Sequence, residues 1–225
     1  MSGAALKTLR ARARSEQPIL WSFLGDSITH GALHTWGWRD YVQLFDEQIR
    51  FRLGRRGDLV INAAYSGYRI TDIARELEQR CLRFRPDIVS IAIGMNDCAA
   101  GLSGLEAFRR TYAEVIGRIR SSTDALLFLQ TQNGVDAPNA VGRTLAPYME
   151  AVLALGAELN VPVCDQYAAW QRYERSRGNA FALLSDPIHP NQWGHQLLAD
   201  ALLRWLGYGP LQGLSPVEGF DPWRE

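Results

Sequence analysis

The sequence predicts an α/β fold in which a five-stranded parallel sheet carries helices on both faces. Five short apolar runs alternate with longer segments whose apolar residues recur at helical spacing, and this alternation is typical of successive βαβ units. The 225 residues are 47% hydrophobic and 21% charged, as in an ordinary globular protein. A chain of this length can bury a large core without disulfides or metal ions.

The predicted elements follow one another along the chain after Pro18. Strands are expected at residues 19–24, 59–63, 88–93, 126–129 and 161–163. Amphipathic helices are expected along residues 38–49, 70–84, 105–119, 145–159 and 193–205, each with one apolar stripe for the sheet. Ser103 and Glu106 have the spacing of a capping box, which predicts the start of the third of these helices.

The chain is predicted to be a single domain over residues 1–225, because no linker rich in Pro, Gly or Ser divides it. Residues 1–17 are expected to form an N-terminal helix or arm. The basic residues of its first 14 positions also fit a targeting peptide, and a solvated helix is the favoured interpretation. Residues 207–225 contain three prolines and four glycines and predict an extended C-terminal strap, packed on its own chain, reaching a neighbour or partly disordered.

Composition argues against several classes of partner. Lys and Arg together number 24, as do Asp and Glu, so the formal net charge is zero and no global field attracts nucleic acid or anionic lipid. No apolar stretch approaches the roughly 18 residues of a membrane span, and no secretory signal is visible, so we expect no stable membrane insertion and a cytoplasmic location. Cys81, Cys98 and Cys164 are widely spaced without a CxxC motif, which favours free thiols over a disulfide framework or a zinc site. The oligomeric state is not predicted.

Polar and small residues follow the predicted strands, at the edge of an open parallel sheet where ligands bind. Gly-Asp-Ser-Ile-Thr occupies residues 25–29, after the first strand, and Asn-Ala-Ala-Tyr-Ser-Gly occupies residues 62–67, at the end of the second. Gly-Met-Asn-Asp occupies residues 94–97, after the third strand, and Asp-Pro-Ile-His-Pro-Asn occupies residues 186–191, before the last helix. Four separate motifs are therefore expected on one rim.

These motifs contain the groups that acyl transfer from an ester requires. A serine hydroxyl such as Ser27 needs a base to take its proton. His189 suits that role because an imidazole ordinarily titrates near neutral pH. Asp186, three residues earlier, can accept the other ring N–H and fix the tautomer. Donors for the developing oxyanion are available in the backbone N–H groups of Ser27 and Gly67 and in the side-chain amide of Asn96.

The combination resembles the SGNH (GDSL-type) hydrolase family, because Ser27, Gly67, Asn96 and His189 match its four namesake positions and Asp186 its acidic partner. The four blocks occur in family order and cover most of the chain. The resemblance implies a flavodoxin-like, three-layer α/β/α sandwich, no metal or organic cofactor, and hydrolysis through an acyl-serine intermediate. The family sometimes dispenses with the acidic residue, since a backbone carbonyl can help to orient the base.

The predicted function is therefore that of a serine esterase for small or medium acyl esters, with O-acetylated sugars among the candidate substrates. An acyltransferase would use the same triad with an alcohol or amine acceptor. A non-catalytic binding module would use the same scaffold, but it would not need the nucleophile and base that are present here. The sequence names neither the acyl chain nor the alcohol, and no substrate-binding residue is assigned.

Other polar and aromatic residues near the rim have alternative roles. Asp26 and Asp97 are expected to form hydrogen bonds that shape turns, in preference to acid–base work by paired carboxylates. His30, His34 and His195 lack the spacing of a metal site. Six aromatic residues in or near the rim loops would either stack on a sugar or belong to the core: Trp36, Trp38, Tyr65, Tyr68, Trp170 and Tyr173.

Overall fold

The computed structural model describes residues 2–31, 34–136, 140–178, 180–212 and 221–223. The strands are β1 Leu20–Gly25, β2 Leu59–Asn62, β3 Ile88–Ala92, β4 Leu126–Gln130 and β5 Val163–Cys164. They form one parallel sheet in the order β2-β1-β3-β4-β5. The predicted five-stranded parallel sheet is confirmed, with every strand boundary within two residues of its predicted position.

Helices of two separate groups pack beside this sheet. The helices are α1 Ser2–Ala13, α2 Ser27–His30, α3 Tyr41–Glu47, α4 Ile70–Arg80, α5 Leu105–Ser122, α6 Ala140–Glu158, α7 Gln166–Arg177 and α8 Gln192–Leu206. In one group α4 packs on α5 and α5 on α6, whereas in the other α1, α3 and α7 each pack on α8. This arrangement is the predicted three-layer α/β/α sandwich.

The strand order places a crevice between β1 and β3. From β1 the chain crosses to β2 on one side, and from β3 it crosses to β4 on the other. The loops that leave the carboxyl ends of β1 and β3 therefore diverge, and such a switch point is where ligands bind in doubly wound sheets. Ser27 follows β1 and Asn96 follows β3, so the topology alone brings these two motifs side by side.

The core lies on both faces of the central strands. All five residues of β3 are buried, as expected for a parallel strand covered by helices on both sides. Trp21 and Phe23 of β1 contact Phe45 of α3, with ring centroids 5.1 and 5.4 Å apart. Full burial of each such aromatic ring stabilises the fold by roughly 1.5–3 kcal/mol, so β1 is held rigidly where the first motif begins.

The capping box predicted at Ser103 and Glu106 is wrong. A 3₁₀ turn over Leu102–Gly104 runs directly into α5, whose N-cap is Gly104 without a side-chain hydrogen bond. The Ser103 hydroxyl points backwards and donates to the Ala100 carbonyl at 3.1 Å. Because the chain is already coiled before the helix starts, Ser103 has no extended conformation from which to cap it.

The first predicted helix begins later than its apolar spacing indicates. Trp38 lies before the helix and is 58% exposed, whereas α3 starts at Tyr41 with Asp40 as its N-cap. Asp40 and Gln43 form a complete capping box, which decides the boundary at this point. The prediction that Trp38 belongs to the buried helical stripe is therefore wrong.

The two terminal segments contact α8. Arg10 of α1 donates to the Trp205 carbonyl at 2.7 Å. The indole N–H of Trp223 donates to the Ala201 carbonyl at 3.1 Å. Most of the predicted strap, residues 213–220 and 224–225, lies outside the described residues. None of the helices that the structure describes combines the length and apolar character needed to span a bilayer.

Candidate active site

Ser27 begins a four-residue helix directly after β1. Asp26 is its N-cap and accepts from the Ile28 N–H at 3.1 Å. The helix ends at Gly31, whose φ of 68° is left-handed and costs a glycine little. A Cβ on Gly31 would also lie 2.3 Å from the Asp40 side chain. These local constraints hold Ser27 at the end of a buried strand, with 6% of its surface exposed.

The structure brings Ser27, His189 and Asp186 into a continuous chain of hydrogen bonds. Ser27 Oγ lies 2.9 Å from His189 Nε2. The other ring nitrogen, Nδ1, lies 2.8 Å from Asp186 Oδ2 and 3.0 Å from Oδ1. Because an ionised carboxylate only accepts, Nδ1 carries the ring proton and Nε2 is left to accept from the serine hydroxyl. This is the geometry that a serine nucleophile and its base require.

Asp186 also folds the turn that carries His189. Its Oδ1 accepts from the backbone N–H groups of Ile188 and His189, each at 2.8 Å. Burial raises the pKa of this carboxyl, but these N–H groups and the His189 ring outweigh burial, so its pKa lies below the ordinary value. One ionised side chain thus shapes the backbone and orients the imidazole.

The His189 turn is tied to the loop after β4 through Asn133. The Asn133 amide donates to the Ile188 carbonyl at 3.0 Å and to the Gly134 carbonyl at 2.6 Å. Asn133 is fully buried, so its amide serves this loop-to-loop connection. On the far side of the turn, the Ser185 backbone N–H donates to the His189 carbonyl at 2.8 Å.

The three candidate oxyanion donors follow the carboxyl ends of the neighbouring strands β1, β2 and β3. The Ser27 N–H lies in the first turn of α2, where N–H groups lack partners within the helix. Gly67 lies in the loop after β2 with a φ of 84°, and a Cβ there would meet nothing within 4 Å. Asn96 donates one amide hydrogen to the Tyr68 carbonyl at 2.9 Å, and its second amide hydrogen leaves it a further donor.

The side chains of Arg80 and His30 pack against the loop that carries Gly67. On one side, the Arg80 guanidinium lies 5.1 Å from the Tyr65 ring centroid and 4.9 Å from that of Tyr68. On the other side, His30 stacks on Tyr65 with centroids 5.5 Å apart. The His30 Nδ1 also accepts from the Ser66 backbone N–H at 3.3 Å. The position of the Gly67 N–H relative to α2 therefore depends on side chains of α2 and α4.

Asp26 bonds the backbone of its own turn, as expected, whereas Asp97 bonds the backbone of a distant segment. Asp97 accepts from the Ile70 N–H at the start of α4 at 3.1 Å, and Asp26 accepts from the Gln132 side chain at 2.8 Å. Burial raises the pKa of Asp26 to about 7, against the hydrogen bond from Ile28, and the charge of Asp97 raises it further. Burial likewise raises the pKa of Asp97 to about 6.

His195 is a buried structural residue, whereas His34 lies against the proposed catalytic base. His195 is buried in α8 and its Nδ1 accepts from the Tyr41 N–H at 3.2 Å. Burial, with His189 and His34 nearby, lowers its pKa to about 3, so it is a neutral structural group. His34 lies flat against His189, with centroids 3.4 Å apart and ring planes within 5° of parallel.

Within the described part of the chain, His34, Asp186 and His189 bring ligand-type atoms within 4.8 Å of one another. A metal ion binds imidazole along the nitrogen lone pair, in the plane of the ring, at about 2.0–2.1 Å. The His34 and His189 planes are nearly parallel and about 3.4 Å apart, so one ion cannot lie in both. Their arrangement does not fit a shared metal.

Sequence reasoning did not single out three contributors to this site. Gln132 supports the Asp26 carboxylate, Arg80 clamps the Gly67 loop, and His34 covers His189. Gln132 follows β4 at the same rim as the other motifs, and that position is the one signal that could have identified it. Arg80 and His34 act through contacts that no local pattern encodes.

A family model described as "GDSL-like Lipase/Acylhydrolase family" matches residues 23–197. The chain is 28% identical over 208 residues to an acetylxylan esterase of Geobacillus stearothermophilus, an alignment that covers 83% of this chain and 93% of that protein. It is also 28% identical over 110 residues to an uncharacterised protein of Mycoplasma pneumoniae, covering 46% of this chain and 12% of the relative.

Solved structures share the fold. A catalytic mutant of Axe2, an acetylxylan esterase from Geobacillus stearothermophilus, superposes with a TM-score of 0.74 at 24% identity, over 86% of this chain and 97% of that one. LAE5, an alpha/beta hydrolase from the metagenome of Lake Arreo in Spain, gives a TM-score of 0.73 at 22% identity, over 86% and 98% of the two chains.

Proposed function

We propose that this chain, which belongs to the GDSL-like lipase/acylhydrolase family and is a carboxylic ester hydrolase, removes acetyl groups from sugar hydroxyls. In this proposal Ser27 is the nucleophile, His189 the general base and acid, and Asp186 the group that orients the imidazole. The observation that carries it is the 2.9 Å separation of Ser27 Oγ and His189 Nε2.

In the acylation step, Ser27 Oγ attacks the ester carbonyl carbon while its proton passes to His189 Nε2. The carbonyl oxygen becomes an oxyanion, which accepts hydrogen bonds from the Ser27 and Gly67 N–H groups and from the Asn96 amide. The bond to the sugar oxygen then breaks, and the departing alkoxide takes the proton from His189. The products are a free sugar hydroxyl and acetyl-Ser27.

In the deacylation step, water replaces the sugar. His189 takes a proton from the water as it attacks the acetyl carbon, and the same donors stabilise the second oxyanion. When the bond to Ser27 Oγ breaks, the serine regains its proton from His189 and acetic acid leaves. The Asp186 carboxylate stays ionised throughout and stabilises the imidazolium of each step.

Relatives support both the triad and the substrate class. Catalytic mutants of Axe2 include changes of a serine, of a histidine and of an aspartate. In Axe2 that aspartate precedes the histidine by three positions, the spacing of Asp186 and His189 here. Of the relatives described above, one is named an esterase and one a hydrolase, which favours water over another acceptor and makes the acyltransferase alternative the weaker candidate.

The nucleophile is tested with Ser27→Ala and a matched control, Ser103→Ala. Ser103 is exposed in the 3₁₀ turn before α5, and its hydroxyl donates to the Ala100 carbonyl, so its variant should keep wild-type turnover of p-nitrophenyl acetate. Ser27→Ala should lose turnover and labelling by a fluorophosphonate probe while its melting temperature is unchanged. Wild-type turnover by folded Ser27→Ala would disprove the serine mechanism.

Sugar as the alcohol part of the substrate is tested at Trp36. This residue is 79% exposed and has a left-handed φ of 53°, a conformation unusual for a bulky residue and frequent at functional sites. It lies two residues after His34, which contacts His189. Trp36→Ala should raise KM at least threefold for acetylated xylo-oligosaccharides and leave ethyl acetate unaffected, because a sugar ring can stack on the indole and ethyl acetate has no ring.

Trp38→Ala is the matched control for Trp36→Ala, since Trp38 is also exposed, at 58%. Equal KM for the sugar ester in wild type and Trp36→Ala would argue against this platform. If neither acetylated oligosaccharides nor acetylated monosaccharides are hydrolysed with a higher kcat/KM than ethyl acetate, whose leaving group is also an alkoxide, the sugar assignment itself is wrong.

We also propose a reducing, cytoplasmic location. It is supported by Cys81, Cys98 and Cys164, which are free and buried, because such thiols persist where disulfides do not form. Fractionation of the native host, with the enzyme followed by antibody, tests this directly. Recovery in the extracellular fraction would contradict it.

A further inference from the structure

His34 makes an unusually close contact with the proposed catalytic base. Its ring lies face to face with that of His189, with centroids 3.4 Å apart and planes within 5° of parallel. The His34 Nδ1 is 3.4 Å from Asp186 Oδ2, the oxygen that lies 2.8 Å from His189 Nδ1. Two imidazoles thus share one carboxylate.

This sharing restricts which of the two rings carries charge. Two imidazolium rings stacked at this distance would repel each other, and Asp186 supplies one negative charge. Burial and the neighbouring charge of His189 lower the pKa of His34, although Asp186 opposes them. His34 is therefore neutral when His189 takes the proton of Ser27.

A neutral aromatic ring affects His189 in two ways. It forms a flat wall that prevents the His189 ring from rotating out of line with Ser27 Oγ. Loss of this alignment would lower the rate of the chemical step steeply. Its π face also presents partial negative charge to the imidazolium that forms during the reaction. Both effects act on the transition state and leave substrate affinity unchanged.

Described residues on either side of His34 are anchored by hydrogen bonds. Gly31 closes α2 with its N–H bonded to the Ser27 carbonyl at 2.9 Å. The Thr35 hydroxyl then donates to the Gly31 carbonyl at 2.9 Å, and Thr35 is buried. His34 therefore lies between two anchored residues, Gly31 and Thr35, shortly after the helix that positions the nucleophile.

We propose that His34 is a positioning residue of the esterase, whose neutral ring holds His189 in line with Ser27 and stabilises its protonated form. This inference rests on the proposed function, since it assumes that His189 is the base. It assigns a role to a histidine that lies outside the four family motifs.

The test compares three substitutions at His34. His34→Ala removes the ring, His34→Leu keeps comparable bulk without an aromatic face, and His34→Phe restores a flat ring that cannot titrate. We expect kcat for p-nitrophenyl acetate to fall about tenfold in His34→Ala and His34→Leu with KM within twofold of wild type. His34→Phe should recover kcat to within about threefold of wild type.

A second readout reports on the base directly. The proton on His189 Nδ1 is hydrogen-bonded to Asp186 and should give a low-field ¹H NMR signal. This signal should be visible in wild type and His34→Phe. It should be broadened in His34→Ala and His34→Leu. If His34→Ala fails to fold, the comparison of His34→Leu with His34→Phe carries the test.

Several results would overturn the inference. They are wild-type kcat in His34→Ala or His34→Leu, equal loss in His34→Phe and His34→Leu, or an effect confined to KM, which would indicate substrate contact. Ser27→Ala in parallel separates the two hypotheses. If Ser27→Ala is inactive while His34→Ala matches wild type, only the role of His34 is rejected, and if Ser27→Ala is active the proposed function fails as well.

Discussion

Replacing Asp186 with Asn tests whether this carboxylate controls the tautomer of His189. Asp186 Oδ1 accepts from the N–H groups of Ile188 and His189. The Asn oxygen must keep that position, because the reversed amide would point its N–H groups at two other donors. The amide nitrogen therefore replaces Oδ2, 2.8 Å from His189 Nδ1.

A donor at that position changes the protonation of the ring. The Asn oxygen remains 3.0 Å from Nδ1, but it already accepts from two backbone N–H groups, so the nearer N–H donor favours Nδ1 as an acceptor. The ring proton then moves to Nε2, which faces Ser27 Oγ and can no longer take its proton. Loss of the charge-assisted hydrogen bond to the imidazolium costs about 1.5–3 kcal/mol, and reversal of the tautomer adds roughly 1–2 kcal/mol. The total of about 4 kcal/mol corresponds to a decrease in kcat of roughly 10³-fold.

The assay is steady-state hydrolysis of p-nitrophenyl acetate and of an acetylated xylo-oligosaccharide at pH 8. KM and the melting temperature should be unchanged in Asp186→Asn because the turn keeps its backbone hydrogen bonds. Asp186→Ala is the control, since it removes those acceptors as well and should lower the melting temperature. A folded Asp186→Asn enzyme with kcat within threefold of wild type would refute the reasoning.

Three further predictions concern the oxyanion donors and the buried carboxylate behind them. Asn96→Ala should lower kcat about 10²-fold with little change in KM, as loss of one oxyanion donor does; a rise in KM with kcat unchanged would instead indicate ground-state binding. Gly67→Ala should lower the free energy of unfolding by about 1 kcal/mol, because its φ is left-handed, and should also reduce kcat. Gly178→Ala, at a φ of 89° outside the site, is the matched control and should lower stability alone. For Asp26, whose pKa is raised to about 7, the folded state holds more protons than the unfolded state between pH 4 and 7. Wild type should therefore lose stability relative to Asp26→Asn as pH rises through that window, by at most about 1.4 kcal/mol per pH unit, measured by urea unfolding at pH 5 and 7; parallel stability curves would contradict the raised pKa.

The fold and the positions of the reacting groups followed closely from local pattern. Short apolar runs separated by amphipathic segments have few alternatives to a parallel sheet, and parallel strands place all their carboxyl ends at one edge. Ser27, Asn96 and His189 could therefore be assigned to a common rim before any distance was known. Where local pattern failed, at Ser103 and Trp38, a 3₁₀ turn or a competing capping box determined where the helix starts.

The groups that tune the site depended on packing between elements distant in sequence. Nothing near Arg80 indicates that its guanidinium will lie against Tyr65 and Tyr68, because that contact exists only once α4 packs beside the loop after β2. The same is true of Asn133, whose amide reaches the Ile188 carbonyl only once the loop after β4 packs beside the His189 turn.

By itself, the amino-acid sequence determined the α/β architecture and the reaction class, and it predicted the nucleophile, the base and the carboxylate beside the base, because these depend on residue types at short spacings and on strand ends. Only the tertiary structure decided which tautomer His189 adopts, how far Asp26 is removed from water, and that His34 covers the catalytic ring. Such properties depend on distances of a few ångströms and on burial, and both are set by the packing of segments that lie far apart along the chain.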